Sequence, residues 1–255
     1  MNEALVFDKI SKFLLHEVKE RNANCVVIGI SGGIDSTVAA FVAAKSLGPK
    51  KVLGLMIPDY SVTPKVDVKD GIEISKQLGI NYKLIDITKG KKILLKGFPN
   101  NRLARGNFLV RLRMSILYYY AAAKSGLVLG TADKSELQLG YFTKHGDGGA
   151  DIFPIADIYK TEIREFAKFL GVPSRIIEKV SSARIWKGQT AEGEIGVNYE
   201  TIDKILKNIP VDSISIKSKL PKIQNVKDKE IRLVVEWIES NRHKHELQLP
   251  ICKLS

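Results

Sequence analysis

The order of apolar and polar segments predicts an α/β fold: a parallel sheet with helices on both faces. Three observations carry this. Four short apolar runs, "CVVIGI" (25–30), "VLGLMI" (52–57), "YKLIDI" (82–87) and "GLVLG" (126–130), are each flanked by turn residues, as strands are. Helical patterns fill the intervals, and strand–helix–strand alternation builds parallel sheets. The first run stops abruptly at Ser31-Gly32-Gly33, at the carboxyl end of a strand, where such sheets bind ligands.

Each element has a local reason. Residues 1–20 carry Leu5, Ile10, Leu14 and Val18 between charges, which reads as an amphipathic helix and not a secretory leader. "STVAAFVAAKSLG" is a small-residue helix that Gly48 stops. "PKVDVKDGIEISKQLG" opens on Pro64 and stops at Gly79, and "NFLVRLRMSILYYYAAAKSG" closes at Gly126. Beyond 140 the pattern changes. "TKHGDGGADIFPI" (143–155) reads as a loop, and "YKTEIREFAKFLG" as a helix closed by Gly171. "SSARIWKGQTAEGEIG" (181–196) reads as a second loop, followed by a helix over "NYETIDKILKNI", a last helix at about 227–243 and a polar tail. The chain of 255 residues is expected to form one domain. The two glycine-bearing loops are expected to close over substrates.

Composition narrows the function classes. No apolar run reaches the roughly 20 residues that span a bilayer, so a cytoplasmic protein without a membrane partner is expected. Cys25 and Cys252 lack metal-ligand spacing and read as inert thiols. The net charge of +12 comes from a lysine excess, clustered at 83–96 and 204–230. Without interleaved aromatic platforms these clusters read as solvated faces, so small anionic substrates are expected, not nucleic acid.

The chemistry concentrates in "VVIGISGGIDSTVAA" (26–40). A strand, a glycine turn and a helix start make an anion site, because backbone N–H groups and the helix dipole favour negative charge. No lysine stands in the loop, so it is not the Walker pattern. Asp35 would repel a phosphate unless a divalent cation lay between them; a carboxylate is a hard oxygen ligand for Mg²⁺. Helix capping would account for one polar residue, not for two glycines, two serines and the acid together.

The loop resembles the SGGxDS loop of the N-type ATP pyrophosphatases, which cleave ATP to AMP and pyrophosphate while adenylating a substrate oxygen. Further stretches are similar to ammonia-dependent NAD synthetase: "GT" at 130–131 with Glu136 five residues after Thr131, "TKHGDGGAD" (143–151), Pro154 followed by Lys160, "NFLVRLRM" (107–114), "GQTAEGEIG" (188–196) and His243-Lys244. The sequence departs from the family where Ala132-Asp133 replaces its usual Asp-His, where Leu109 replaces a frequent lysine, and where Ser182 replaces a threonine.

The resemblance implies a Rossmann-like fold of the adenine nucleotide alpha hydrolase type and a ligase acting through an acyl-adenylate. It implies ATP contacts at Gly29, Ile30, Ser31, Gly32, Gly33, Ile34, Asp35, Ser36, Thr131, Lys160 and Ser182. It implies deamido-NAD contacts at Arg111, Lys144, Asp151, His243 and Lys244, Mg²⁺ on Asp35 and Glu136, and a homodimer. Asp35 and Lys160 are the expected catalytic pair, and Asp147 or Asp151 is expected to receive ammonium. Enzymes of the same superfamily that make GMP, asparagine, argininosuccinate or thiolated tRNA are the alternatives. Thiolation would need better-placed cysteines, and Asn2 excludes an N-terminal cysteine amidotransferase. The chain has no room for an attached glutaminase, so free ammonia, or ammonia from a separate subunit, is the expected nitrogen source. A non-catalytic nucleotide- or RNA-binding protein is the reading from another class, and Asp35 with Glu136 argues against it.

Overall fold

A computed structural model describes residues 1–216 and 220–245. The elements in chain order are α1 (Glu3–Glu20), β1 (Val26–Gly29), α2 (Ile34–Leu47), β2 (Val52–Met56), α3 (Lys65–Gln77), β3 (Asn81–Leu84), α4 (Thr88–Leu94) and α5 (Arg102–Ala123). They continue with β4 (Leu127–Leu129), α6 (Lys134–Leu139), α7 (Lys160–Leu170), α8 (Ser174–Ile177), α9 (Ala191–Ile195), α10 (Tyr199–Leu206) and α11 (Asp228–Asn241). The sheet is parallel throughout in the order β3-β2-β1-β4, with Val26 opposite both Val52 and Leu127 and Leu53 opposite Asn81.

Alternation along the strands divides the core. Val26 and Ile28 face one side with Val52 and Met56, where they pack with α1, α2 and α7 through Leu14, Phe41, Ala40 and Phe166. Val27, Leu53, Leu55 and Val128 face the other side, under Leu109, Met114 and Leu117 of α5. A third apolar cluster joins α6, α9, α10 and α11 through Leu139, Ile195, Tyr199, Ile202, Val234 and Ile238. This helical unit lies beside the sheet's functional edge, and α7 bridges it to the main core.

The expected elements are present, with differences that have local causes. In α1, Leu14 and Val18 are buried but Leu5 is 51% exposed; Val6, Phe7 and Ile10 form the packed stripe with them instead. α5 starts five residues earlier than its apolar pattern, because Asn101 caps it by accepting from the Ala104 N–H at 2.9 Å. The 181–196 segment contains α9, started by Thr190, whose hydroxyl accepts from the Gly193 N–H. α4 buries no side chain, so the lysine-rich sequence offered no periodic stripe to read. Cys25 is buried in the strand region, and Cys252 with the rest of 246–255 lies outside the described residues. Among the described residues no helix is long and apolar enough to cross a membrane.

Candidate active site

β1 ends at Gly29, and the chain turns through 30–33 into α2 at the carboxyl edge of the sheet. Gly33 precedes α2 without any side-chain cap, so neither Ser31 nor Asp35 closes the helix start. Its first N–H groups have no intrahelical partner. The loop's hydroxyls turn inward instead. Ser36 Oγ and Thr37 Oγ1 donate to the Gly33 carbonyl at 3.1 and 2.8 Å, and Ser31 Oγ lies 2.9 Å from Ser36 Oγ. They shape the loop, while its backbone lines a cleft. That cleft is lined by Thr131, Glu136 and Asp147 and by Lys179, Ser182 and Arg184. Both glycine-bearing loops thus border it. Met56 at the end of β2, Ile57 just after it and Met114 of α5 supply an apolar patch that suits a flat ring, with Arg113 of α5 beside them.

Gly32 has a different reason from the one its neighbour has. Its φ is +78°, and a Cβ there would meet the backbone oxygen of Asp67 in α3 at 2.2 Å. A Cβ on Gly33 would meet only the Ser31 hydroxyl, at 3.3 Å. Gly32 therefore makes room for α3. Lys179 fastens the same junction, donating to the Gly32 carbonyl at 2.8 Å and to Asp67 at 2.8 Å, with Asp70 at 2.5 Å. Gly32→Ala is expected to lose about 1–3 kcal/mol through backbone strain alone, and Gly33→Ala less; urea denaturation of both variants checks this. Equal stability of the two would contradict it.

The electrostatic centre is Lys160, first residue of α7 and only 1% exposed. Its Nζ lies 2.8 Å from Asp35 Oδ2, 2.9 Å from Asp133 Oδ2 and 3.0 Å from Glu136 Oε1. The ring of Tyr199 lies 5.3 Å beyond. Burial opposes the lysine's charge, but Asp133, Asp35 and Glu136 outweigh it and hold the ammonium well above its ordinary range. Three carboxylates against one cation leave an excess of negative charge. Burial first, and then mutual repulsion among the acids, raises both Glu136 and Asp133 above the usual carboxylate range despite Lys160.

In the sequence Asp133 stands only as a departure from the family's usual Asp-His and not among the expected site residues. It caps α6, accepting from the Glu136 N–H at 2.8 Å, while Glu136 Oε2 accepts from the Asp133 N–H in return. The D-x-x-E spacing of this capping box was the available signal. Lys160 points into these acids rather than into the cleft, so its expected contact with phosphate is indirect in this geometry.

Among the described residues no cluster of three or more Asp, Glu, His or Cys is arranged to hold a metal by itself. Asp35 Oδ1 is nevertheless buried without a hydrogen-bond partner, and Glu136 opens on the same cleft. Two hard oxygen donors with uncompensated charge fit Mg²⁺ whose remaining ligands come from substrate phosphates and water.

The other expected residues form a second group. Arg111 Nε donates to the Lys144 carbonyl at 3.1 Å, and Lys144 Nζ donates to the His243 carbonyl at 2.9 Å, so these three are joined. Lys244 Nζ donates to the Gly140 and Phe142 carbonyls, both at 2.7 Å, and so pins the turn after α6. Asp147 lines the cleft and accepts from the Thr143 N–H; its burial raises it above the ordinary carboxylate range. Asp151 is engaged elsewhere, accepting from the Val128 N–H at 2.7 Å and the Tyr118 hydroxyl at 3.1 Å.

Comparison with known proteins places this arrangement. A family model described as NAD synthase matches residues 6–248. An NH(3)-dependent NAD(+) synthetase of Archaeoglobus fulgidus is 42% identical over 255 residues, covering 100% of this chain and 98% of that protein. One from Methanocaldococcus jannaschii is 44% identical, covering 95% of this chain and 94% of its own length. Among solved structures, the NMN synthetase of Francisella tularensis superposes with a TM-score of 0.87 at 33% identity, over 98% of this chain and 99% of that one. The chain belongs to the NAD synthase family.

Proposed function

We infer that the chain amidates deamido-NAD with ammonia and ATP, giving NAD, AMP and pyrophosphate. The observation that carries this is the meeting of Asp35, in the first turn of α2 after β1, with Glu136, in the first turn of α6 after β4, on one buried lysine beside an open helix start. A carboxylate resists ammonia because oxide is a poor leaving group. The nicotinate oxygen therefore attacks the α-phosphorus of ATP, and the bond to the bridging oxygen of pyrophosphate breaks. Ammonia then adds to the acyl-adenylate carbonyl, loses a proton, and AMP leaves.

This chain's part is positioning and charge neutralisation. The backbone of 31–36 and the N-terminus of α2 receive the pyrophosphate portion. Thr131 and Ser182 flank the nucleotide, and Lys160 holds Asp35 and Glu136 in register. Mg²⁺, bound by Asp35 and Glu136, would neutralise phosphate charge. Arg111, Lys144, His243 and Lys244 form the deamido-NAD side. Asp147 is the better-placed acceptor for an ammonium proton, because Asp151 is spent on backbone and tyrosine. Asp147→Asn is accordingly expected to lower kcat/KM for ammonia by on the order of 10²-fold. Asp151→Asn should mainly lower stability. Steady-state kinetics varied in ammonium, with thermal melts, separates them, and unchanged ammonia kinetics in Asp147→Asn would remove this role.

The reading extends to a cytoplasmic, single-domain homodimer that uses free ammonia, supported by the family resemblance. The likeness to an NMN synthetase raises a second acceptor, a pyridine mononucleotide. Incubation with ATP, Mg²⁺ and ammonium plus either deamido-NAD or nicotinate mononucleotide decides. Equal amounts of NAD, AMP and pyrophosphate support the proposal. Amidation of the mononucleotide alone would reassign the acceptor, and no AMP with either would reject the reaction.

A further inference from the structure

Asp203 lies on α10, in the helical unit beside the sheet, and is 2% exposed. No cation pairs with it among the described residues. Its Oδ1 accepts from the Ser135 hydroxyl at 2.5 Å, and its Oδ2 accepts from the Thr161 N–H at 2.9 Å and the Thr161 hydroxyl at 2.7 Å. Ser135 Oγ in turn accepts from the Lys160 N–H at 2.9 Å. One carboxylate thus satisfies the first two N–H groups of α7, one directly and one through a serine. Those groups would otherwise be buried donors without partners. The end of α7 that faces it carries partial positive charge, which accounts for a buried acid without a cation.

The residues it grips decide the matter. Ser135 directly precedes Glu136, and Thr161 directly follows Lys160. The two carboxylate oxygens therefore hold the residues next to each member of the 3.0 Å Lys160–Glu136 pair, Ser135 by its hydroxyl and Thr161 by its N–H and hydroxyl. Tyr199, four residues before Asp203 on the same face of α10, presents its ring to Lys160.

We propose that Asp203 is a positioning residue of the active site, which sets α6 against α7 and thereby places Glu136 and Lys160 for Mg²⁺–ATP. The proposal rests on the reading of those two groups as site residues. A cap alone would affect stability only; a positioning residue also affects binding and turnover, and does so through Glu136.

The test compares Asp203→Asn and Ser135→Ala, each alone and combined with Glu136→Gln, with wild type. Mg²⁺–ATP binding is measured by calorimetry, AMP formation by rapid quench, and folding by thermal melt. Asn keeps an acceptor for Thr161 but presents a donor to Ser135, so the chain stays packed while the bridge is broken. Weaker Mg²⁺–ATP binding and a kcat lowered by about tenfold or more are expected in both single variants. Less than about a twofold further loss is expected when Glu136 is already Gln. Binding and kcat within about twofold of wild type in folded Asp203→Asn would overturn the proposal. So would an undiminished loss in the Glu136→Gln background. If Asp203→Asn does not fold, Ser135→Ala is judged by the same two criteria. A wild-type chain that binds Mg²⁺–ATP but makes no NAD would sink the amidation reading and leave Asp203 to be judged on binding.

Discussion

Asp35→Asn is expected to abolish AMP and pyrophosphate formation, lowering kcat by on the order of 10²–10³-fold, with little change in melting temperature. The substitution keeps size and one acceptor oxygen. It removes the charge that pairs with Lys160 and the orphaned Oδ1 that fits Mg²⁺. A folded variant with near-normal turnover at ordinary Mg²⁺ would refute the role of Asp35. Stability is spared because Asp133 and Glu136 remain on Lys160, and two carboxylates against one ammonium repel less than three. The loss of activity and the retention of fold thus have one electrostatic cause.

Lys160→Met is expected to act on both. Methionine matches the length of the stem but supplies no cation, and three buried or half-buried carboxylates are left facing each other. Removing one partner of a buried charge network costs about 3–5 kcal/mol, which urea denaturation at neutral pH would read. The sign with pH follows from the raised acids. A carboxylate whose folded pKa lies above its unfolded value destabilises the fold as pH rises through that range. It ceases to do so once protonated. Asp133 and Glu136 are already raised with Lys160 present, and losing the cation raises them further. The gap between Lys160→Met and wild type should therefore narrow as pH falls from 8 towards 5. A gap that widens on acidification, or is absent at pH 8, would contradict the hub.

The difference between Gly32 and Gly33 shows how far a motif can be read from residues alone. Of the two glycines after the strand, Gly32 meets a close backbone approach and Gly33 does not. Which partner approached was not legible, because Asp67 is 35 residues away and meets Gly32 only once β2 has returned α3 to the same edge. The serines marked the same site, yet their hydroxyls bond within the loop. Asp133 and Asp203 show the opposite case. Their types and spacings were visible: a D-x-x-E cap, and an acid set among Tyr199, Ile202 and Leu206 at helical spacing. Neither had an evident meaning until Lys160 and Thr161 lay beside them.

Local chemistry in the chain determined the strands, most helices and the glycine turn that leads from β1 into α2 at the sheet's carboxyl edge, since hydrophobic period and glycine placement act over a few residues. It also determined the pairing of Asp35 with a distant acid, through resemblance rather than spacing. Only the tertiary structure decided that Lys160 faces three carboxylates, that Asp147 and not Asp151 lines the cleft, and that the helical unit reaches the site through Asp203. Charge and desolvation depend on distance in space. Groups 100 residues apart acquire their energies only when a parallel sheet brings its strand ends to one edge.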